Sequence, residues 1–336
     1  MKKIIIATIV LFLATVPLLA GRYAGDFMMI GAGVRALGMG GAFAALANDG
    51  SAIYWNSAGL AQITSSEVSA MHAFLYNNLA SYDHLSYVQP LPNDLSIAVN
   101  ITRLSVNDIP YFDERHLIGT NVDQRINDSA YHLPGVPDGH FRSTDDLYQI
   151  AFAKNIKFGA NMGWQFFEVP FEMGLGGNFK FIKRQIKDTL GSGVGLDLGM
   201  KVRTDMAVIF DQDELGDLHF GLNFQNVSGT RVTWDTPSSM EDEVLFNTKF
   251  GLAAVQPIPK LNSTLTLAYD YDYVYNGTSH YGVDWDYDSK ANLRVGYYDT
   301  NFSCGASVKL YGVYLDYALI NNPIGISNRV GLRISF

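Results

Sequence analysis

The stretch SNRVGLRISF at the C-terminus places Val330, Leu332, Ile334 and Phe336 on one side of an extended chain and Arg329, Gly331, Arg333 and Ser335 on the other. Successive side chains of a strand point to opposite faces, so this alternation describes a strand with one apolar face. The pattern recurs. YGVYLDYAL sets Tyr311, Val313, Leu315, Tyr317 and Leu319 against Gly312, Tyr314, Asp316 and Ala318. FSCGASVKL (302–310), LTLAYDYDYVY (265–275), LHFGLNFQN (218–226) and VGLDLGMKVR (194–203) read the same way. Period two at this density restricts the chain to an all-β fold with one greasy face per strand. A soluble sandwich would bury that face between two sheets; a membrane barrel would turn it to lipid and its polar face to a lumen.

Three features favour the barrel. The strands run to about ten residues, the length a tilted membrane strand needs. Tyr273, Tyr275, Trp285, Tyr287, Tyr297 and Tyr298 collect near strand ends, as an interfacial girdle would. The polar faces carry small residues and both signs of charge, which suits a narrow, internally paired lumen. The chain also ends on an aromatic, Phe336, after an alternating strand. The expectation is a transmembrane antiparallel β-barrel of about 14 strands, at 65–75, 81–90, 94–105, 146–155, 173–186, 191–204, 217–227, 245–257, 262–274, 280–287, 291–299, 301–309, 311–320 and 327–336. An even strand number puts both ends of the barrel on the periplasmic side. The short connections 90–94, 257–262 and 288–290 then fall inside and the long ones, 106–144 and 228–244, outside. The 205–216 connection is longer than that rule predicts, and 156–171 reads either as a long turn or as an extra strand pair.

The N-terminus supplies the route. Lys2 and Lys3 precede an apolar run, Ile4 to Leu19, and a small-residue junction at Ala20-Gly21. That is the layout of a cleaved secretory signal peptide over 1–20, and the run is shorter than a spanning helix requires. Without Lys2 and Lys3, 22 basic residues face 33 acidic ones, a net charge near −11. A nucleic-acid binder would want a basic face, so no nucleic-acid partner is expected. Cys304 is the single cysteine, which excludes a disulfide framework and a cysteine metal site.

Between the signal and the strands lies GAGVRALGMGGAFAALANDGSAIYWNSAGLA, residues 31–61. A dinucleotide loop needs G-x-G-x-x-G, and Gly31, Gly33, Gly38 and Gly40 do not have that spacing; Phe43 stands where a third glycine would fall. A phosphate loop needs Gly-Lys, and Gly38 precedes Met39. Arg35, Asn48 and Asp49 interrupt any spanning helix. What remains is a compact, irregular, buried segment, which a barrel can hold where polar backbone meets lumen groups rather than lipid. Residues 21–62 are thus expected to form a hatch within a barrel formed by 63–336.

These residues carry a resemblance. Gly38, Met39, Gly40, Gly41, Ala42, Asp49, Ser51, Ala52, Trp55, Asn56, Ala58, Gly59 and Leu60 match the N-terminal signature of the FadL-like outer-membrane proteins, most closely the PorV/PorQ branch. Asn48 stands where that signature often has Asp, and Ser57 where it usually has Pro, which leaves the turn there less pre-set. The resemblance continues through GLDLGMKVR, FGLNFQNVSG and NLRVGYY. It implies a fourteen-stranded barrel with an N-terminal hatch, whose motif residues are Gly38, Gly40, Gly41, Asp49, Trp55 and Asn56. It also implies one of two functions. PorV-type members serve type IX protein secretion; FadL-type members pass hydrophobic small molecules across the outer membrane. Chain length resembles the first group more.

The alternation assigns Asp197, Lys201, Arg203, Asp270, Asp272, Arg294, Lys309 and Arg333 to the lumen side. They are read as charges paired across strands and bracing the hatch, with a polar path as the alternative. DQDELGD (211–217) lacks the closing glutamate of a calcium loop. The seven histidines show no metal-ligand spacing, and no G-x-S-x-G elbow occurs. The leading expectation is therefore a non-enzymatic outer-membrane barrel of PorV/PorQ type acting in protein export or surface display, with a FadL-like channel for hydrophobic small molecules as the alternative, and with no metal and no cofactor. Its expected partners are outer-membrane lipid and secreted cargo or secretion-machinery proteins, or else hydrophobic small molecules.

Overall fold

A computed structural model describes residues 24–113, 136–161, 163, 168–274 and 277–336. The expected signal peptide, most of the 106–144 connection and Tyr275 lie outside them. Sixteen strands form one antiparallel sheet: β1 Glu67–Leu75, β2 Ala80–Leu91, β3 Leu95–Tyr111, β4 Gly139–Asn161, β5 Glu168–Ile186, β6 Thr189–Asp205, β7 Asp217–Gln225, β8 Arg231–Trp234, β9 Glu241–Glu243, β10 Asn247–Ile258, β11 Ser263–Asp272, β12 Thr278–Tyr287, β13 Ala291–Tyr298, β14 Asn301–Leu310, β15 Val313–Asn322 and β16 Gly325–Ser335. Strands in sequence pair as neighbours, β7 with β10 across the β8–β9 hairpin, β5 with β6, and β1 with β16. The ring is closed by 14 strands, as the alternation predicts; β8 and β9 are an accessory hairpin within the 228–244 connection. Closure leaves no lipid-facing sheet edge, the condition a spanning sheet must meet.

The outward side chains form an exposed apolar belt. Leu252, Leu267, Val283, Leu293, Val295, Val308 and Leu315 lie on it, with Tyr273, Tyr281, Trp285, Tyr287 and Tyr297 toward its margins. Tyr298, one of the girdle residues expected from sequence, turns inward instead and stacks on His280 at 5.3 Å. Both ends of the wall, the start of β1 and the finish of β16, lie at one rim, here the terminal rim; the opposite rim is distal.

β3, β4 and β5 are longer than the alternation indicates. β3 continues past 105 through a bulge between Val106 and Ile109, where Asp108 has φ 59°. β4 gains residues at both ends. The 156–171 region is neither a long turn nor an extra strand pair. β4 and β5 carry on through it in register to Asn161↔Glu168, so this hairpin overhangs the terminal rim. The 205–216 connection, at the same rim, contains a helical turn, Met206–Phe210, whose N-cap Asp205 accepts from the Ala207 N–H at 2.8 Å.

Candidate functional site: the occupied lumen

Residues 32–61 are almost entirely buried, and they are buried against the inward side chains of the wall. Short helical turns, Val34–Gly38 and Ala52–Trp55, and a 3-10 turn, Ser57–Gln62, alternate with glycine bends. A segment this short in regular structure leaves many backbone groups unpaired, and wall side chains supply the partners. The Asp270 carboxylate accepts from the Phe43 and Ala44 N–H groups at 2.8 and 2.6 Å. Lys201 Nζ donates to the Ala47 carbonyl at 2.9 Å. Asn178 and Gln149 donate to the Ile53 carbonyl at 3.0 and 3.3 Å, and Asn223 to that of Trp55 at 2.9 Å. Glu67 accepts from the Gly50 N–H at 2.5 Å, and His280 Nδ1 lies 2.7 Å from the Gly40 carbonyl oxygen. These partners come from β1, β4, β5, β6, β7, β11 and β12, so the segment is gripped from around the ring.

Inside the segment, Trp55 is the pivot. Its Nε1 donates to the Ala32 carbonyl at 2.6 Å, and its ring meets Tyr54 and Phe43 edge-on at 5.4 and 6.4 Å. Asn56 Nδ2 bridges to the Ala44 and Met200 carbonyls, and its Oδ1 caps the 3-10 turn through the Ala58 N–H at 3.2 Å. Asp49 accepts from the Ser51 N–H and hydroxyl and faces Arg35 at 3.6 Å and Arg333 at 3.8 Å. Burial alone would raise the Asp49 pKa; the guanidiniums of Arg333 and Arg35 outweigh it and hold the carboxyl below the ordinary carboxylate range. Burial pushes the Tyr54 hydroxyl up to about 12. It accepts from the Gly31 N–H at 3.0 Å and donates to the Met28 carbonyl.

The wall makes room for this segment with glycine. A Cβ on Gly296 would stand 2.0 Å from the Gly40 nitrogen, one on Gly221 2.3 Å from the Ala44 oxygen, and one on Gly199 2.2 Å from Asn56 Oδ1. Gly221 pairs with Gly251 and Gly282 with Gly296 in the ladder. On the segment's side, Gly40 has φ +67° and sits against the backbones of Tyr297 and Tyr281, where a side chain would both strain the turn and collide. Two cavities flank the segment. One of about 470 Å³ at the terminal rim is lined by Arg35, Asn48, Gln62, His219 and Asp284; one of about 40 Å³ on the distal side touches Met28, Met29, Val244 and Val274.

A profile of the uncharacterised protein family UPF0164 matches residues 17–296. The chain belongs to this family. A search of curated proteins finds no match for the UPF0164 chain. Among solved structures it is similar to the Pseudomonas putida toluene transporter TodX, with 10% identity, 91% of this chain and 99% of that chain covered, and a TM-score of 0.51. The Ralstonia pickettii toluene transporter TbuX aligns with 12% identity over 91% of this chain and 97% of that one, at a TM-score of 0.46. The likeness to TodX shows a shared fold.

In the UPF0164 chain the residues singled out from sequence fall into four groups. Gly38, Gly40, Gly41, Asp49, Trp55 and Asn56 are packed in the lumen segment. Asp270 and Lys201 grip it directly. Asp197 pairs with Lys180 at 2.7 Å and holds Asn178, and Asp272 pairs with Lys249, whose Nζ lies 5.4 Å from the Trp55 ring centre. Arg294 links Asp284 and Asp316 at 3.3 and 3.6 Å beside Gly38, and Arg333 links Asp316 to Asp49. Arg203 and Lys309 stand apart from the segment. Arg203 spans Glu172 and Asp217 at the terminal rim, and Lys309 is exposed there over the Tyr314 ring. The amides Gln149, Asn178 and Asn223 and the wall glycines were missed by sequence reasoning. Their signal was present: glycine recurs at inward positions of β5, β6, β7, β10, β12, β13, β14 and β16, and glycine inside a strand marks close backbone approach.

Proposed function

We propose that this barrel is a non-enzymatic outer-membrane channel of FadL type, passing a small hydrophobic molecule, with the lumen segment as its gate. The observation that carries the reading is the combination of a closed 14-strand ring with a segment that blocks it through polar contacts and glycine clearances. The polar attachments can be exchanged for water when the segment moves, while its buried apolar side chains, Phe43, Leu46, Ile53 and Leu60 among them, set the cost of that movement. TodX, a toluene transporter, supports the substrate class through its shared fold. The test is uptake of toluene into liposomes carrying the purified barrel, against empty liposomes. Faster equilibration supports the reading; identical rates reject it.

A second reading, a PorV/PorQ-like barrel that binds secreted cargo or secretion-machinery proteins, has one observation in its favour. The wall around the segment is lined by paired charges, Asp197–Lys180, Asp272–Lys249 and Arg294–Asp284 among them, and this lining suits a greasy ligand poorly. Loss of surface-attached proteins on gene deletion, with toluene uptake unchanged, would favour it.

A further inference from the structure

The outward positions of β7 and β10–β16 carry no charged residue. Those of β1–β5 carry a row of four charged residues and a histidine. His72, Asp83, Arg103, Asp146 and Lys183 are directly opposed on successive strands: His72↔Asp83, Asp83↔Arg103, Arg103↔Asp146 and Asp146↔Lys183. On the terminal side of this row the same strands return to Leu85, Ile101, Ile150 and Phe181, so the row borders the apolar belt. It sits where lipid headgroups meet acyl chains.

The pairing within the row is uneven. His72 Nδ1 lies 2.6 Å from Asp83 Oδ1. Arg103 makes a two-pronged bond to Asp146, Nε to Oδ1 at 2.6 Å and Nη2 to Oδ2 at 2.9 Å, with the Tyr148 hydroxyl 3.4 Å from Oδ2. Asp83 and Arg103 have opposite charges and opposed register positions, yet among the described residues each turns away from the other to a different partner. Their side chains remain 49% and 45% exposed. Both line a groove of about 830 Å³, together with Ala70, Leu85, Ile101, Val330, Gly331 and Leu332. The groove is thus greasy along its length and has one open negative and one open positive group at its head.

We propose that this groove holds one lipid with a zwitterionic headgroup, a phosphate joined to a primary ammonium. Arg103 Nη1, which has no partner in Asp146, takes the phosphate. Asp83 takes the ammonium, and an acyl chain lies over Ala70 and Gly331. A singly charged anionic headgroup would satisfy Arg103 and meet repulsion from Asp83. The site requires only that the belt faces a bilayer, and it stands whichever molecule the lumen passes.

The experiment offers the purified barrel an equimolar mixture of phosphatidylethanolamine and phosphatidylglycerol with identical chains and counts retained lipid by native mass spectrometry. Phosphatidylethanolamine is expected in at least tenfold excess, with one molecule held after the others dissociate. Asp83→Asn is expected to abolish the excess. The double variant Arg103→Met/Asp146→Leu, which leaves no buried carboxylate unpaired, is expected to lose the held lipid altogether. Equal retention of the two lipids, a preference for phosphatidylglycerol, or a preference unchanged in Asp83→Asn overturns the proposal. Displacement by the chainless headgroup glycerophosphoethanolamine at equal concentration overturns the acyl-chain half of it.

Discussion

At the scale of single residues, the lumen is governed by clearances and a few charge-assisted bonds. Gly296 and Gly177 make a matched test. A methyl on Gly296 collides with segment backbone at 2.0 Å and 2.2 Å, whereas one on Gly177 meets nothing closer than 3.7 Å. Gly296→Ala should lift Met39–Gly40 off the wall, costing at least the roughly 3 kcal/mol of severe overpacking, and limited proteolysis should then cut within the segment. Gly177→Ala should leave the digestion pattern unchanged. Asp49 supplies a pH signature. Its folded-state pKa lies below the ordinary one, so its contribution is complete above the unfolded value and is lost only as pH falls through the folded value. Wild type should exceed Asp49→Asn in stability by about 1.5–3 kcal/mol from pH 7 down to about pH 4.5. The gap should close below about pH 4. A gap that is already closing at pH 6 would contradict the Arg35–Asp49–Arg333 arrangement.

At the scale of elements, the β8–β9 hairpin has a defined task. β7 covers β6 only from Leu198 to Asp205, and β8 pairs with Gly191–Val194 above it. Replacing 231–243 by a Gly-Ser linker should leave the ring closed through β5–β6 and β6–β7 but bare the distal part of β6, an unpaired edge. The shortened protein should still resist unfolding in dodecyl sulfate before heating, with a lower melting point; failure to form any heat-modifiable species would show that the hairpin is needed for closure. How clearly each strand could be read in the sequence follows from what its two faces touch. β10–β16 have lipid on one side and the polar wall of the lumen on the other, so their alternation is clean. In β1 and β2 the inward side includes Met71, Leu75, Tyr82 and Val88, buried against the segment, while the outward side carries His72 and Asp83. Apolar and polar residues then mix on both faces, and the period blurs. The extensions of β4 and β5 toward Asn161 and Glu168 keep the period, with Ile156 and Phe158 alternating with Lys157 and Gly159, but each run is only a few residues long and β5 carries Pro170, so neither stood out as a strand. The inward direction of Asp197, Lys201, Asp270 and Arg294 followed from parity alone. Which of them would touch the segment did not, because strand spacing carries no information about the height at which a separate element docks.

At the scale of the whole molecule, the ring and its contents depend on each other. Without residues 24–62 the inward charges and amides would face water rather than backbone, and the lumen would open from rim to rim. A barrel lacking these residues should therefore conduct ions in planar bilayers at least tenfold better than the full chain. Equal conductance would mean that the segment already leaves a path. The β1–β16 seam adds a constraint on how such a molecule can be built. The first and last strands are neighbours, so the circle stays unsealed until Gly325–Ser335 has arrived, and nearly the whole length of the polypeptide separates the two halves of that final zipper. Phe43, Trp55 and the turns that carry them lie deep among the inward side chains, so enclosing them while the wall is still open is the direct route. Order of closure thus matters: a wall sealed early would have to admit residues 24–62 through one of its rims.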